Sequence, residues 1–368
     1  MNKIVICLNT SWNIYNFRLN LARELKYSGY KVILVSPYDQ YSEILNKEFE
    51  YYNIFMNNKG TNVIQDLKTI IQFYKLYKKI KPEVVLNFTI KPNIYGNIAC
   101  QMLHIKTINN ISGLGTVFIN ESMVTKIVKF LYKFALKSSF KVFFQNIDDQ
   151  TLFLKNRLVK YNKTEVLPGS GVDTNKFMPV ESKMKDEKFV FLLIGRMLWD
   201  KGIGEYIEAA RIIKSKIKNV EFQLLGAIDV INKTAIPKKQ MQRWIDEGLV
   251  NYLGVTDDVS KYIKNANCVV LPSYREGTPR TLLESASMGK PIITTNVPGC
   301  KDVVNDNKTG YLCRVKDSLD LATKMENMLN LTQLERNNMG EAAREKIVKE
   351  FDEKIVIDKY IHSINALK

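Results

Sequence analysis

The residues whose types and spacing can do chemistry lie in two clusters in the second half of the chain. The denser reads Leu271-Pro272-Ser273-Tyr274-Arg275-Glu276-Gly277-Thr278-Pro279-Arg280-Thr281-Leu282-Leu283-Glu284. An apolar run ends at Pro272 and a polar loop follows. A helix is then expected, with Thr278 as its N-cap and Pro279 at its first position. The N–H groups at such a start, aided by the helix dipole, suit a diphosphate. Glu276 belongs to the loop and Glu284 to the helix interior, so both can face one cleft from different depths. A carboxylate accepts strong hydrogen bonds from sugar or ribose hydroxyls. The second cluster is Gly195-Arg196-Met197-Leu198-Trp199-Asp200-Lys201-Gly202. Arg196 and Lys201 are expected to converge on one anion, Arg as a fork and Lys as a point charge. Together they can neutralise a diphosphate as it leaves.

Both clusters need a scaffold, and the chain repeats one pattern of apolar run, turn and amphipathic segment. Val32–Val35, Val84–Leu86 and Val142–Phe144 read as buried strands. Segments 17–28, 62–80, 93–103 and 123–139 read as helices, with Gly29 stopping the first. The alternation pauses over 168–188, which reads as a linker. It resumes with strands at Phe189–Ile194, Phe222–Leu225, Cys268–Leu271 and Pro291–Ile293. Strand–helix alternation implies parallel sheets covered on both faces. The expected architecture is α/β, with two doubly wound Rossmann-like domains facing a central cleft. The expected bounds are 1–175 and 189–349, with 350–368 a helix crossing back to the first domain. Ligands of such sheets sit at the carboxyl ends of the strands.

The full set of motifs resembles the retaining GT-B enzymes of glycosyltransferase family 4. The resemblance rests on Arg196, Lys201, Glu276-x7-Glu284, the Glu276-Gly277-Thr278-Pro279 turn, Gly289-Lys290-Pro291, Pro298-Gly299 and Asp306–Tyr311. In the first half, Lys91–Gly96 and Asn109–Gly115 look like a subgroup that builds bacterial surface glycans. Its members add N-acetylgalactosamine or a similar sugar to undecaprenyl-diphosphate-linked saccharides. The resemblance implies a UDP-sugar donor and a lipid-linked saccharide acceptor, with no cofactor and no metal. Arg196 and Lys201 would bind the diphosphate, Glu276 the donor sugar and Glu284 the ribose. Gly277, Thr278 and Pro279 would serve the phosphates, while Asp258 and Val259, in the Gly254–Val259 segment, would line the base pocket. It also implies retention by front-face attack, with the leaving phosphate oxygen taking the acceptor proton. Many relatives carry glycines in the turn after the first strand, where this chain has Asn9-Thr10-Ser11-Trp12-Asn13. Ser11, Asn13 and Lys91 are the acceptor-side candidates. A nucleotide-sugar epimerase or phosphorylase of the same architecture, or a non-catalytic donor-binding scaffold, are the alternatives that fold alone leaves open.

Composition bounds the partners. The net charge is +16, and residues 1–180 hold 24 Lys+Arg against 12 Asp+Glu. A field of this sign attracts anionic lipid, phosphorylated substrates or nucleic acid. No aromatic–basic recognition motif accompanies it, so nucleic acid is not expected. Over 123–141, Lys126, Lys129, Lys133 and Lys137 repeat at helical spacing beside Ile127, Phe130, Leu131 and Phe134. Such a helix either packs one apolar face inward with solvated lysines outside, or docks on an anionic membrane surface. Each nearby Lys is worth about 1 kcal/mol there. The five scattered cysteines and two histidines suggest neither a disulfide framework nor a zinc site. No apolar stretch is long enough to span a bilayer and the start does not read as a signal peptide. The expected location is cytoplasmic, peripheral on the inner face of the cell membrane.

Overall fold

The computed structural model describes residues 2–56, 63–114, 123–180, 188–228 and 230–367. Gly115 of the Asn109–Gly115 motif and residues 181–187 of the expected linker lie outside them. The chain divides into two compact units, Met1–Ser170 with Ile355–Lys368, and Gly171–Lys354.

The first unit is built on seven strands: β1 (Lys3–Cys7), β2 (Lys31–Ser36), β3 (Glu50–Asn53), β4 (Val84–Phe88), β5 (Lys106–Ile111), β6 (Lys141–Phe144) and β7 (Thr164–Val166). They pair in parallel in the order β3-β2-β1-β4-β5-β6-β7. The two-residue period of a strand divides their side chains between two cores. Val5, Cys7, Ile33, Val35 and Val85 join Phe73, Tyr77 and Tyr132 on one face. Ile4, Ile6, Val32, Leu34 and Leu86 join Leu21, Leu25 and Tyr360 on the other. Tyr360 comes from the last helix, Glu353–Asn365. Its ring lies against Phe88 and Phe143, and its hydroxyl accepts from Asn110 Nδ2 at 2.9 Å.

The second unit carries six strands: β8 (Phe189–Ile194), β9 (Val220–Leu225), β10 (Asn251–Tyr252), β11 (Cys268–Leu271), β12 (Ile292–Thr295) and β13 (Gly310–Cys313). Their order, again all parallel, is β10-β9-β8-β11-β12-β13. Phe191, Leu193, Phe222 and Leu224 face one core, and Val190, Leu192, Val269 and Leu271 the other. The five cysteines are buried, and burial pushes the Cys7, Cys300 and Cys313 thiols up to about 12. They pack as small hydrophobes.

Local corrections follow from side-chain demands. The helix expected over 17–28 is found at Leu19–Tyr27, and a further helix, Ser11–Phe17, precedes it and ends at Arg18. Arg18 is buried with its guanidinium 4.5 Å from the Phe88 ring centroid and bonded to the Phe17 carbonyl, which turns the backbone out of the helix. The segment expected as a helix over 93–103 is a buried π-turn, Pro92–Gly96, followed by Asn97–Met102. The boundary between the units, after Ser170, falls inside the expected linker, and the residues after it already belong to the second unit. Val172 and Phe177 are buried in the second unit's core, and Val172 bridges to Asp352. The helix Met123–Ala135 buries Thr125, Val128, Tyr132 and Ala135. Its outer surface, expected on the packed reading to carry solvated lysines, also exposes Met123, Val124, Ile127, Phe130 and Phe134. Among the described residues no helix is long and apolar enough to cross a membrane.

Candidate active site

In an open parallel sheet, a crevice forms where the strand order reverses, outside the carboxyl ends of the strands. In the second unit that point lies between β8 and β11. The loops leaving these strands are 195–202 and 272–279, which carry both sequence clusters. Gly202 (φ +72°) brings them together, because a side chain there would meet the Pro272 backbone, 2.7 Å from its carbonyl carbon. Tyr274 N then donates to Asp200 O at 2.9 Å.

Within this junction Lys201 Nζ forms an ion pair with Glu276 Oε1, the two side chains being 21% and 14% exposed. Ser273 Oγ lies 2.7 Å from the same carboxylate oxygen and 3.1 Å from Asp200 O. Asp200 is itself held by Thr234 Oγ1 at 2.9 Å. Tyr274 donates its hydroxyl to Glu205 Oε1 at 2.7 Å, and Lys316 Nζ sits 4.9 Å above its ring. Burial and the Glu205 carboxylate push the Tyr274 hydroxyl well above its ordinary range. Glu276 N donates to Pro298 O at 3.2 Å, so the loop after β12 supports the Glu276 loop from behind.

Not every expectation about these residues holds. Arg196 and Lys201 share the loop after β8 but differ in their partners. Lys201 is engaged with Glu276, while Arg196 is exposed and its side chain unpaired among the described residues. The helix after the loop runs Arg280–Ser287 with Pro279, not Thr278, at its N-cap. Proline has no N–H, and its carbonyl accepts from Leu282 N at 3.1 Å to start the first turn. The Thr278 hydroxyl turns back to the Gly277 carbonyl, 3.0 Å away. Glu284 lies in this helix, buried, with Arg280 Nε 3.1 Å from its Oε1. Burial pushes its carboxyl up, and Arg280 and Lys176 oppose that shift. Asp258 Oδ1 accepts from Ser260 N at 3.1 Å just before the helix Ser260–Asn265, while Val259, its N-cap, packs against the core. Both belong to the loop after β10, at the same carboxyl edge of the sheet.

The first unit reverses its strand order between β1 and β4. The loop after β1 opens the helix Ser11–Phe17, where Thr10 Oγ1 caps Asn13 N at 3.1 Å. The turn read there in the sequence is therefore a helix start. Ser11 is fully buried and bonded to Asp39, which its burial keeps from an incoming acceptor. Asn13 Nδ2 donates to Asn9 Oδ1 at 2.7 Å. After β4, Thr89 takes a left-handed backbone (φ +62°), a strained conformation for a β-branched residue. Lys91 follows, its Nζ 2.6 Å from Asp66 Oδ1 and 5.5 Å from the Tyr95 ring centroid. Sequence reasoning missed Ser273, Arg280, Asp66 and Tyr95. For Ser273 and Arg280 the signal was present, as each stands three or four residues before the carboxylate it serves. Asp66 is brought to Lys91 only by the fold.

A cavity of about 1060 Å³ in the second unit is lined by Lys188, Val190, Glu221, Asn267, Pro291 and Arg336 among others. These residues mark the amino ends of the strands, the end away from the Lys201–Glu276 cluster.

Residues 3–146 match the family described as "Glycosyl transferase 4-like", and residues 175–346 that described as "Glycosyl transferases group 1". The chain is 28% identical over 366 residues to the N,N'-diacetylbacillosaminyl-diphospho-undecaprenol alpha-1,3-N-acetylgalactosaminyltransferase of Campylobacter jejuni, covering 95% of this chain and 94% of that protein. It is 29% identical to the UDP-Gal:alpha-D-GlcNAc-diphosphoundecaprenol alpha-1,3-galactosyltransferase of Escherichia coli, covering 82% and 80%. A glycosyltransferase structure from Rickettsia africae has the same fold, with a TM-score of 0.80 at 20% identity over 100% of this chain and 98% of that one. The chain is thus a glycosyltransferase of the GT-B fold, belonging to the group 1 glycosyltransferases with a glycosyl transferase 4-like first domain.

Proposed function

We propose that the protein transfers a sugar, an N-acetylhexosamine, from a UDP-sugar to a lipid-diphosphate-linked saccharide in bacterial surface-glycan synthesis, with retention of configuration. The observation that carries the reading is the Lys201–Glu276–Ser273 cluster at the strand-order reversal of the second unit. A cation and a carboxylate held side by side suit a ligand with a charged diphosphate next to a neutral, hydroxyl-rich sugar. The names of the Campylobacter and Escherichia relatives supply the substrate class.

In the proposed reaction the bond from the sugar's anomeric carbon to the phosphate oxygen breaks as the bond to the acceptor oxygen forms on the same face. The acceptor's hydroxyl proton passes to the departing phosphate oxygen, so no side chain need act as base. Arg196 and Lys201 stabilise the charge that develops on the diphosphate. Lys201 has three N–H donors and can reach a phosphate while leaving Glu276. Glu276 accepts hydrogen bonds from the donor sugar and Glu284 from the ribose, with Gly277, Thr278 and Pro279 beside the phosphates. The loop with Asp258 and Val259 serves the base. Asn13 and Lys91 stand on the acceptor side.

The first unit supports work at an anionic membrane surface. The helix Met123–Ala135 exposes Phe130 (70%) and Ile127, with exposed Lys126 and Lys133 flanking them in the sequence. The helix Val63–Ile80 exposes Ile64, Leu67 and Ile71. Both helices pack on the segment Pro92–Met102. Apolar side chains ringed by lysines are what an interfacial helix needs to enter the headgroup region.

The test is transfer from a panel of UDP- and GDP-sugars to a short polyprenyl-diphosphate-linked sugar, with wild type and Glu276→Ala. Turnover of one UDP-sugar, lost in the variant, is the expected result. UDP binding without turnover of any donor would instead favour a donor-binding scaffold.

A further inference from the structure

We propose that Ser273 is a positioning residue for transfer, whose hydroxyl keeps the Glu276 carboxylate oriented toward the donor sugar when Lys201 moves to the diphosphate. This rests on the reading of Glu276 as the donor-sugar contact. Two donors meet on Glu276 Oε1, the Lys201 ammonium and the Ser273 hydroxyl. They differ in how firmly they are fixed. Lys201 sits on a flexible four-carbon stem, and its ammonium answers to whichever anion is nearest. A bound diphosphate carries more charge than one carboxylate and draws the ammonium toward itself.

Ser273 cannot follow. It is 1% exposed, and its carbonyl accepts the Thr295 hydroxyl from β12. The next residue's N–H is bonded to Asp200 O. A serine hydroxyl has one proton and two acceptors within reach, Glu276 Oε1 at 2.7 Å and Asp200 O at 3.1 Å. The charge-assisted bond to the carboxylate is the shorter and the stronger, so the proton goes there. A carboxylate rotates broadly about its last torsion. A fixed donor on Oε1 therefore helps to set the plane in which the carboxylate meets a sugar hydroxyl. Ser273 acts through Glu276 and contributes to sugar recognition without contributing to nucleotide binding.

The experiment is a double-mutant cycle of Ser273→Ala and Glu276→Ala. It reads calorimetric affinities for UDP, UDP-N-acetylgalactosamine and UDP-galactose, transfer kcat/KM, and thermal unfolding. The expected result for Ser273→Ala is a UDP affinity within about twofold of wild type and a kcat/KM about tenfold to a hundredfold lower. The extra affinity of a UDP-sugar over UDP falls with it. In the Glu276→Ala background, adding Ser273→Ala changes the UDP-sugar affinity by less than about twofold. Wild-type kinetics in Ser273→Ala overturn the proposal. So does an equal loss in both backgrounds, or a loss of UDP and UDP-sugar affinity by the same factor, which marks a merely structural role. Wild-type behaviour of Glu276→Ala alone is a distinct result: it removes the donor-sugar reading of Glu276 and this proposal with it.

Discussion

Gly299→Ala disturbs the Glu276 loop without altering any side chain near the donor. Gly299 lies in the turn after β12 with φ +80°. A methyl group there would meet the Gly277 carbonyl oxygen and stand 2.6 Å from the Glu276 carbonyl oxygen. Ordinary contacts of this kind measure 3.4 Å or more, so one backbone must retreat by at least about 0.8 Å. Both obstructing atoms are main chain and cannot swing aside as a side chain would. The Glu276 N to Pro298 O bond ties the same segments together, so the displacement passes to Glu276. A misplacement near 1 Å costs about 100-fold in rate, or about 2.7 kcal/mol of transition-state stabilisation. The left-handed backbone adds about 1–2 kcal/mol of strain, which lowers Tm by about 2–8 °C for a unit of this size. Initial rates of sugar transfer, with calorimetric UDP binding and a thermal melt on the same preparation, check all of this. A folded Gly299→Ala enzyme with kcat/KM within twofold of wild type would refute the claim that this turn positions Glu276.

Lys201→Ala removes the cation from a mostly buried ion pair, which costs about 3–5 kcal/mol when the carboxylate is left behind. It should lower both transfer and thermal stability, and Glu276→Ala added to it should return part of the stability but none of the activity; continued loss of stability in the double variant would show that the pair is not coupled. Because the Glu284 carboxyl is raised by burial, the folded protein holds its proton above the pH at which the unfolded chain releases it. Stability from this group is present at low pH and lost as pH rises from the ordinary carboxylate range through the raised value. Glu284→Gln should thus melt higher than wild type at pH 7.5, with the gap closing toward pH 4.5, while transfer falls; a lower melting point at pH 7.5 would contradict this. Phe130→Ser with Phe134→Ser should weaken co-sedimentation with phosphatidylserine vesicles at least tenfold at low salt, with transfer to a water-soluble acceptor unchanged; equal vesicle binding would remove this helix from the membrane surface.

The legible parts of the sequence were those where one stretch of chain carries the whole signal. β8 and β11 are buried on both faces and read as apolar runs. The residues proposed for the diphosphate and donor sugar occupy two short stretches because a strand, its loop and the next helix are consecutive. The unread strands show why pattern fails. β3, β7 and β10 flank their sheets, and their half-buried Glu50–Asn53, Thr164–Val166 and Asn251–Tyr252 leave no apolar run to find. β5 is central and buried yet reads Lys-Thr-Ile-Asn-Asn-Ile, because Asn109 bonds Asn93 at 3.0 Å and Asn110 bonds Tyr360. Those partners come from a π-turn and from the far end of the chain. The break at Arg18 likewise depends on Phe88, which no local periodicity reveals.

The two sheets share one strand order through their first six members, so each unit has its crevice at the same topological position. What differs is the state of the polar groups on the loops. In the second unit the loops present an exposed Arg196, a Lys201 whose partner sits on the adjoining loop, and a helix start at Arg280. A doubly charged diphosphate needs such cations, because desolvating it against neutral groups costs more than hydrogen bonds return. In the first unit Asn13 is held by Asn9 and Lys91 by Asp66. A neutral bond such as Asn13–Asn9 can be exchanged for one to a saccharide hydroxyl at little net cost. The exposed Arg196 on the loops of the second unit, unpaired among the described residues, supports assigning the donor to that unit and the saccharide acceptor to the first.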